Sequence, residues 1–134
     1  MLAWLLDEPA GTAVREHLTA AEIILASDLT LIECDRVLFR AVALGELNES
    51  EAADRRVHLA DAAIHWQVMR VAAEIVDRAR QPYPEEPIRT LDAIHVASAL
   101  TARAAVAGLK LLSLDDRVRR SARKLGLQVL PEHI

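Results

Sequence analysis

Three acidic residues in this 134-residue sequence lie where its predicted elements turn over at one edge of a sheet. Glu33 is one turn into the helix after the apolar run "IILAS", Asp92 is in the first turn of "RTLDAIHVASAL", and Asp115 comes just after "LKLLSL". Carboxylates within a few ångströms of one another repel unless a cation lies between them. Oxygen ligands of this kind suit Mg²⁺ or Mn²⁺, which can lower the pKa of water and bind a phosphate. The three acids therefore predict a metal site for phosphodiester hydrolysis.

Each acid also has a purely structural interpretation. Thr30 and Glu33 have the spacing of a helix capping box. Asp92, in the first turn of a helix, is favoured by the helix dipole, typically by about 0.3–1 kcal/mol. Asp115 and Asp116 have the residue type of a turn followed by an N-cap. Taken one at a time, these residues leave both interpretations open.

The elements that must position these acids alternate between short apolar runs and helical patterns. The predicted strands are "IILAS", "IHWQV", "LKLLSLDD" and "LQVL", and amphipathic helices separate them, with Asn48 or Ser50 as a cap and Gly45, Gly108 and Gly126 as helix ends. This rhythm predicts an α/β class, a three-layer sandwich around a mainly parallel central sheet. Ligands of such sheets bind beyond the carboxyl ends of the strands, which is where the acids lie.

Length and composition restrict the domain organisation and the kinds of function that the chain can have. Residues 1–134 fit a single domain, and the three-proline loop "RQPYPEEPIR" is not a domain linker because neither flank looks self-sufficient. The formal net charge of −4 argues against nonspecific nucleic-acid binding by the whole surface, although it leaves room for a local basic patch. The single cysteine, Cys34, forms no internal disulfide, which is typical of a cytoplasmic protein. No apolar run approaches the roughly 20 residues of a membrane span.

Three segments in this order, "SDLTLIECDRVLFRA", "IRTLDAIHVASAL" and "LLSLDDRVRRSARKLGL", resemble the PIN-domain family. The resemblance is strongest to the VapC-type toxins of bacterial toxin–antitoxin pairs, and it extends over nearly the whole chain. It implies a Mg²⁺- or Mn²⁺-dependent ribonuclease in which Glu33, Asp92 and Asp115 match the second, third and fourth acids of the family. Asp116 would substitute for the neighbouring Asp115 or assist it. Ser113 occupies a position before the last acid where the family often has Thr or Ser. By this resemblance, the metal would hold Asp92.

The family's first strand and its terminal Asp have no counterpart in this sequence. "MLAWLLDEPAG" matches the helix that follows that strand, and Asp7 and Glu8 lie at its far end, where they cannot replace the acid. We therefore expect a PIN-like domain that is truncated at its N-terminus, with Met1 as an internal methionine.

Two functions remain open. The first is an endoribonuclease toxin, with tRNA or ribosomal RNA as substrate by analogy, and with a cognate antitoxin and a second copy of the chain as partners. Arg36, Arg40 and Arg89 are candidates for RNA phosphate contacts, although solvated surface arginines are the commoner case. The second is a catalytically inactive, degenerate or truncated PIN domain that binds only an antitoxin or itself.

Overall fold

The structure is a computed structural model that describes residues 2–134, in which the chain forms two compact units. One unit ends at Met69, and the other runs from Arg70 to Ile134. Met1, interpreted above as an internal methionine, lies outside the described residues. Within residues 2–134, no helix is both long enough and apolar enough to cross a membrane.

The first unit contains four helices and two strands. In chain order these are α1 (Leu2–Leu5), α2 (Gly11–Ala20), β1 (Leu25–Ser27), α3 (Asp28–Ala43), α4 (Glu49–Ala63) and β2 (Gln67–Met69). The core of this unit consists of Leu5, Ala26, Cys34, Leu38, Leu59 and Trp66.

Local sequence signals explain where α3 ends and α4 begins. Gly45 follows the C-cap of α3 with a φ of 74°, a conformation that costs glycine little. Asn48 then caps α4: its side chain accepts from the Glu51 N–H at 2.8 Å, and the Glu51 carboxylate accepts from the Asn48 N–H at 2.8 Å. The predicted helix end at Gly45 and the predicted cap at Asn48 are both confirmed.

β1 and β2 pair in parallel, with Ala26 opposite Val68. The second strand begins later than "IHWQV" predicts, because the N–H groups of His65 and Trp66 donate to the carbonyls of Ala62 and Ala63 in a closing helical turn. Consequently the helix predicted from "MRVAAEIVDRAR" starts only at Ala73, after the strand.

The second unit contains α5 (Ala73–Ala79), α6 (Thr90–Ala105), β3 (Lys110–Leu112), α7 (Asp116–Lys124) and β4 (Gln128–Leu130). β3 and β4 are parallel, with Leu111 opposite Val129. The two strand pairs are separate two-stranded sheets among the described residues. Helices that alternate with short parallel strands confirm the predicted α/β class.

α6 is the central helix of the second unit. Its early residues, Ala93 and Val96, pack in a cluster with Tyr83 and Val118, and Ala99 packs in a second cluster. The Tyr83 hydroxyl donates to the Ala93 carbonyl at 2.8 Å. These contacts hold the first turn of α6, which carries Asp92.

Candidate active site

Asp92 is a buried carboxylate at the start of α6. It is the third residue of the helix, and it is only 5% exposed. A carboxylate in such a place needs a charged partner or hydrogen-bond donors, because burial without them strongly disfavours its ionised form.

That partner is the guanidinium of Arg89. Arg89 Nε donates to Asp92 Oδ2 at 2.7 Å, and Arg89 Nη2 donates to Asp92 Oδ1 at 3.1 Å. The hydrogen bonds to Asp92 raise the pKa of Arg89 above its usual value. The cation that Asp92 contacts in this structure is therefore the guanidinium of Arg89.

Asp115 receives the same guanidinium. Arg89 Nη2 also donates to Asp115 Oδ2, at 3.2 Å. Two of the three acids predicted from the sequence therefore meet at one cationic group, although Asp92 and Asp115 are 23 positions apart in the chain. The predicted juxtaposition of these two carboxylates is present in the second unit, with Asp92 in the first turn of α6 and Asp115 at the N-cap of α7.

The other carboxylate oxygen of Asp115 accepts hydrogen bonds from backbone N–H groups. Asp115 is the N-cap of α7, and its Oδ1 accepts from the N–H groups of Arg117 at 2.9 Å and Val118 at 3.1 Å. The N-cap interpretation of Asp115 is therefore confirmed. It does not compete with a second role, because Oδ2 points to Arg89 while Oδ1 caps the helix.

Ser113 supports the turn that presents Asp115. Its hydroxyl oxygen accepts from the Asp115 N–H at 3.2 Å, and its own N–H donates to the Leu130 carbonyl at 3.0 Å, which extends the pairing of β3 with β4. Asp116 follows as the first residue of α7 and is exposed.

A buried arginine that the sequence analysis missed fixes the same turn. Arg119 is 2% exposed, and its Nη1 donates to the carbonyls of Ser113 at 2.6 Å and Leu130 at 3.1 Å. Its Nη2 donates to the Pro131 carbonyl at 2.6 Å. Burial lowers the pKa of Arg119. "DRVRRSARK" carries several arginines, and its helical period alone does not tell the buried one from the exposed ones.

Glu33 belongs to the first unit. It lies inside α3 and is partly buried. The N-cap of this helix is Ser27, whose hydroxyl oxygen accepts from the Leu29 N–H at 3.1 Å, so Thr30 is already within the helix. The capping-box interpretation of Thr30 and Glu33 is therefore wrong.

The chemical type of the acidic side chains that meet in the second unit suits a hard divalent cation. Asp92 and Asp115 offer carboxylate oxygens, which Mg²⁺ and Mn²⁺ prefer, and both already face one cationic group. Within residues 2–134, no cluster of three or more acidic, His or Cys side chains has metal-binding geometry. The described residues thus bring together a pair of carboxylate ligands.

A cleft of about 440 Å³ lies beside this pair. It is lined by Glu85, Glu86, Pro87, Ile88, Arg89, Arg117 and Arg120. Both glutamates are engaged: Glu85 pairs with Arg120 and Lys124, and Glu86 accepts from the N–H groups of Tyr83 and Ile88.

Comparison with known proteins identifies the class. The family profile of the PIN domain matches residues 1–124, and the chain therefore belongs to the PIN-domain family. The chain is also 34% identical over 123 residues to Ribonuclease VapC46 of Mycobacterium tuberculosis. This match covers 92% of the chain and 85% of the relative. Membership of the family that "IRTLDAIHVASAL" and its companion segments resemble is thus shown.

Proposed function

We propose that this protein is a metal-dependent endoribonuclease that acts as the toxin of a type II toxin–antitoxin system. The observation that carries the proposal is the convergence of Asp92 and Asp115 on one cationic group, in a chain of the PIN-domain family. The similarity to a ribonuclease over most of the length of both chains supports RNA as the substrate.

Asp92 and Asp115 are the residues that would hold Mg²⁺ or Mn²⁺. When bound, such an ion lowers the pKa of water and stabilises negative charge on a phosphoryl oxygen. The helix cap formed by Asp115 Oδ1 fixes the orientation of that carboxylate, and the burial of Asp92 keeps its carboxylate in one position. Ser113 and Arg119 hold the turn, so they act on the site through Asp115.

Glu33 enters the proposal through the family resemblance. It matches the family's second acid, and the structural alternative for it, a capping box with Thr30, has been removed. Asp116 is proposed as a secondary acid on the same basis, because it adjoins Asp115 and is exposed.

The arginine-lined cleft supports an anionic substrate. Arg117 and Arg120 follow Asp115 by two and five residues and line the same cleft as Arg89. Cationic side chains beside a carboxylate pair can bind the phosphates that flank the one being cleaved. The remaining expectations are a tRNA or ribosomal RNA target, a cognate antitoxin, a homodimer and a cytoplasmic location. They belong to this proposal through the resemblance to VapC-type toxins.

The alternative function is a catalytically inactive PIN domain that binds an antitoxin or itself. The observation in its favour is that Arg89 already pairs with both carboxylates brought together in the second unit. In that case the protein itself would offset part of the negative charge of the site, and a divalent ion would gain less.

The deciding experiment is cleavage of purified total RNA by the 134-residue chain, with Mn²⁺ and with EDTA, and with Asp92→Asn as the control for contaminating nucleases. We expect Mn²⁺-dependent cleavage that Asp92→Asn reduces by about 100-fold or more, as for other groups that stabilise charge in a reaction. Equal cleavage by both proteins would refute the assignment. If neither protein cleaves RNA and neither binds Mn²⁺, the inactive binding domain is the better account.

A further inference from the structure

Arg89 and a divalent ion require the same oxygen atoms. The guanidinium uses Asp92 Oδ1, Asp92 Oδ2 and Asp115 Oδ2, and the fourth oxygen, Asp115 Oδ1, caps α7. While Arg89 is in place, each of the four oxygens of the pair already accepts at least one hydrogen bond. An ion beside the guanidinium would also be repelled by its positive charge. In this position the Arg89 side chain therefore opposes occupation of the carboxylate pair by Mg²⁺ or Mn²⁺.

The Arg89 side chain has room to move. It is 58% exposed, and Arg89 lies outside α6 as the extended residue that precedes the helix. Its side chain borders the cleft that also contains Arg117 and Arg120. Because Arg89 precedes the helix, a rotation of its side chain would leave α6 unchanged.

The cleft offers a displaced guanidinium no carboxylate that lacks a partner. Glu85 is paired with Arg120 and Lys124, and Glu86 accepts two backbone N–H groups. Arg117 and Arg120 line the same cleft as Arg89, and Arg120 is paired with Glu85. A displaced Arg89 guanidinium would therefore gain a partner when an anion binds in the cleft, and a phosphate matches the guanidinium through paired hydrogen bonds.

We propose that Arg89 competes with the divalent ion for Asp92 and Asp115, and that the displaced Arg89 binds a phosphate of the RNA substrate. This inference rests on the proposed function and adds a residue to it. In the ion-free protein, Arg89 offsets one of the two negative charges of the carboxylates. In the ion-loaded protein, the same side chain contributes to substrate binding, so ion and RNA bind cooperatively.

The test is the Mn²⁺ affinity of the full chain, measured by calorimetry, for the wild type, Arg89→Gln, Arg80→Gln and Asp92→Asn. Arg80→Gln is the matched control, since it removes the same charge from an exposed position in the same unit. We expect Arg89→Gln to bind Mn²⁺ about 3- to 10-fold more tightly, in line with the strength of exposed ion pairs. Arg80→Gln should bind Mn²⁺ like the wild type, and Asp92→Asn should bind it much more weakly.

Binding of an RNA phosphate by Arg89 is tested separately, by steady-state kinetics. Arg89→Gln should raise the KM for RNA by roughly 5- to 10-fold with a smaller change in kcat at saturating Mn²⁺, the signature of lost substrate binding. Arg80→Gln should leave KM unchanged. An unaltered KM in Arg89→Gln would overturn the role in phosphate binding.

Thermal denaturation tests whether a change in Mn²⁺ affinity in Arg89→Gln comes from a loss of folding stability. Without metal, Arg89→Gln leaves the buried Asp92 carboxylate unpaired, so its Tm should fall; saturating Mn²⁺ should raise that Tm more than it raises the wild-type Tm. Mn²⁺ binding that is equal or weaker in Arg89→Gln would overturn the competition while leaving the proposed function intact. Absence of Mn²⁺ binding in every protein would refute both.

Discussion

The guanidinium of Arg119 donates from Nη1 to the carbonyl oxygen of Ser113 at 2.6 Å, two residues before Asp115. The same side chain reaches Leu130 and Pro131, so one buried arginine joins the end of β3 to the end of β4. The turn that presents Asp115 therefore depends on a residue that takes no part in the carboxylate pair.

Replacing Arg119 with Met should destabilise the protein while removing little volume. The carbonyls of Ser113 and Pro131 would lose their donors, and buried acceptors without partners cost about 1–3 kcal/mol each, so we expect a loss of roughly 2–4 kcal/mol. Urea denaturation followed by far-UV circular dichroism measures this loss. Arg120→Met on the same helix is the matched control, because its exposed guanidinium pairs with Glu85 at 3.7 Å and its loss should cost less than about 1 kcal/mol. Similar losses for both variants would show that the Arg119 hydrogen bonds contribute little.

The two roles of Asp115, as the N-cap of α7 and as a proposed metal ligand, can be tested separately. Asn at position 115 keeps an oxygen that can cap α7 but removes the charge, whereas Ala removes both. We expect Asp115→Asn to retain nearly full stability and Asp115→Ala to lose about 0.5–2 kcal/mol in urea denaturation. Both variants should lose Mn²⁺ affinity to a similar extent, as measured by calorimetry. Wild-type Mn²⁺ affinity in Asp115→Asn would show that Asp115 serves only as a helix cap.

The pairing of Asp92 with Asp115 illustrates what the sequence can predict. The positions of both acids follow from strand and helix patterns and from helix-start chemistry, which are local, and the structure brings the two residues together. The spacing of Arg89 and Asp92, three residues apart, is also a local signal for a pair of opposite charges at a helix start, and it could have revealed this partner. The link from Arg89 to Asp115 could not be predicted, because it depends on how two turns pack.

Other features depend on tertiary packing and leave no mark on the local pattern. The burial of Arg119 is one, since Arg117 and Arg120 beside it have the same residue type and are exposed. Strand limits are another: the start of β2 is set by where α4 unwinds and where the Gln67 N–H reaches the Ile24 carbonyl at 2.9 Å. That residues 1–134 form a single PIN-like domain without the family's first strand, and that Glu33 serves as a site residue, remain predictions.

Cys34 should be chemically inert in the folded protein. It is 1% exposed, and burial raises its pKa to about 11. Because the thiolate is the reactive form, iodoacetamide at pH 8 should leave the native thiol unmodified and alkylate it fully in urea. Mass spectrometry of the two reactions gives the answer. Rapid alkylation of the native protein would contradict the burial of this side chain in the core of the first unit.

The raised pKa of Cys34 also predicts how stability depends on pH. The unfolded thiol ionises near its ordinary pKa of 9.0, and the folded thiol near 11, so the unfolded state releases its proton first. Stability from this group is therefore complete below pH 9 and is lost as pH rises from 9 to 11, at about 1.4 kcal/mol per pH unit. Urea denaturation at pH 8, 9 and 10 should show the decline in the wild type, and Cys34→Ala should lack this component. Equal slopes in both proteins would rule out the contribution.

Tyr83 allows the packing of the second unit to be tested through a single chromophore. It is the only tyrosine in the chain, it is 5% exposed, and its hydroxyl donates to the Ala93 carbonyl in the first turn of α6. The Arg78 guanidinium lies over its ring at 4.5 Å from the centroid. Burial raises the pKa of Tyr83 above its usual value of 10.0, and nearby Arg78 opposes this shift.

The phenolate absorbance of the native protein at 295 nm should therefore appear at a higher pH than that of the urea-unfolded protein. Since the unfolded state loses this proton first, the Tyr83 contribution to stability is complete below pH 10 and is lost as pH rises through the folded pKa. Tyr83→Phe removes the hydrogen bond to the Ala93 carbonyl, which should cost about 0.5–1.5 kcal/mol. Because Ala93 follows Asp92 in the first turn of α6, Tyr83→Phe should also weaken Mn²⁺ binding modestly, by less than Asp92→Asn. A phenol that titrates identically in the native and unfolded protein would show that this turn is not packed as described.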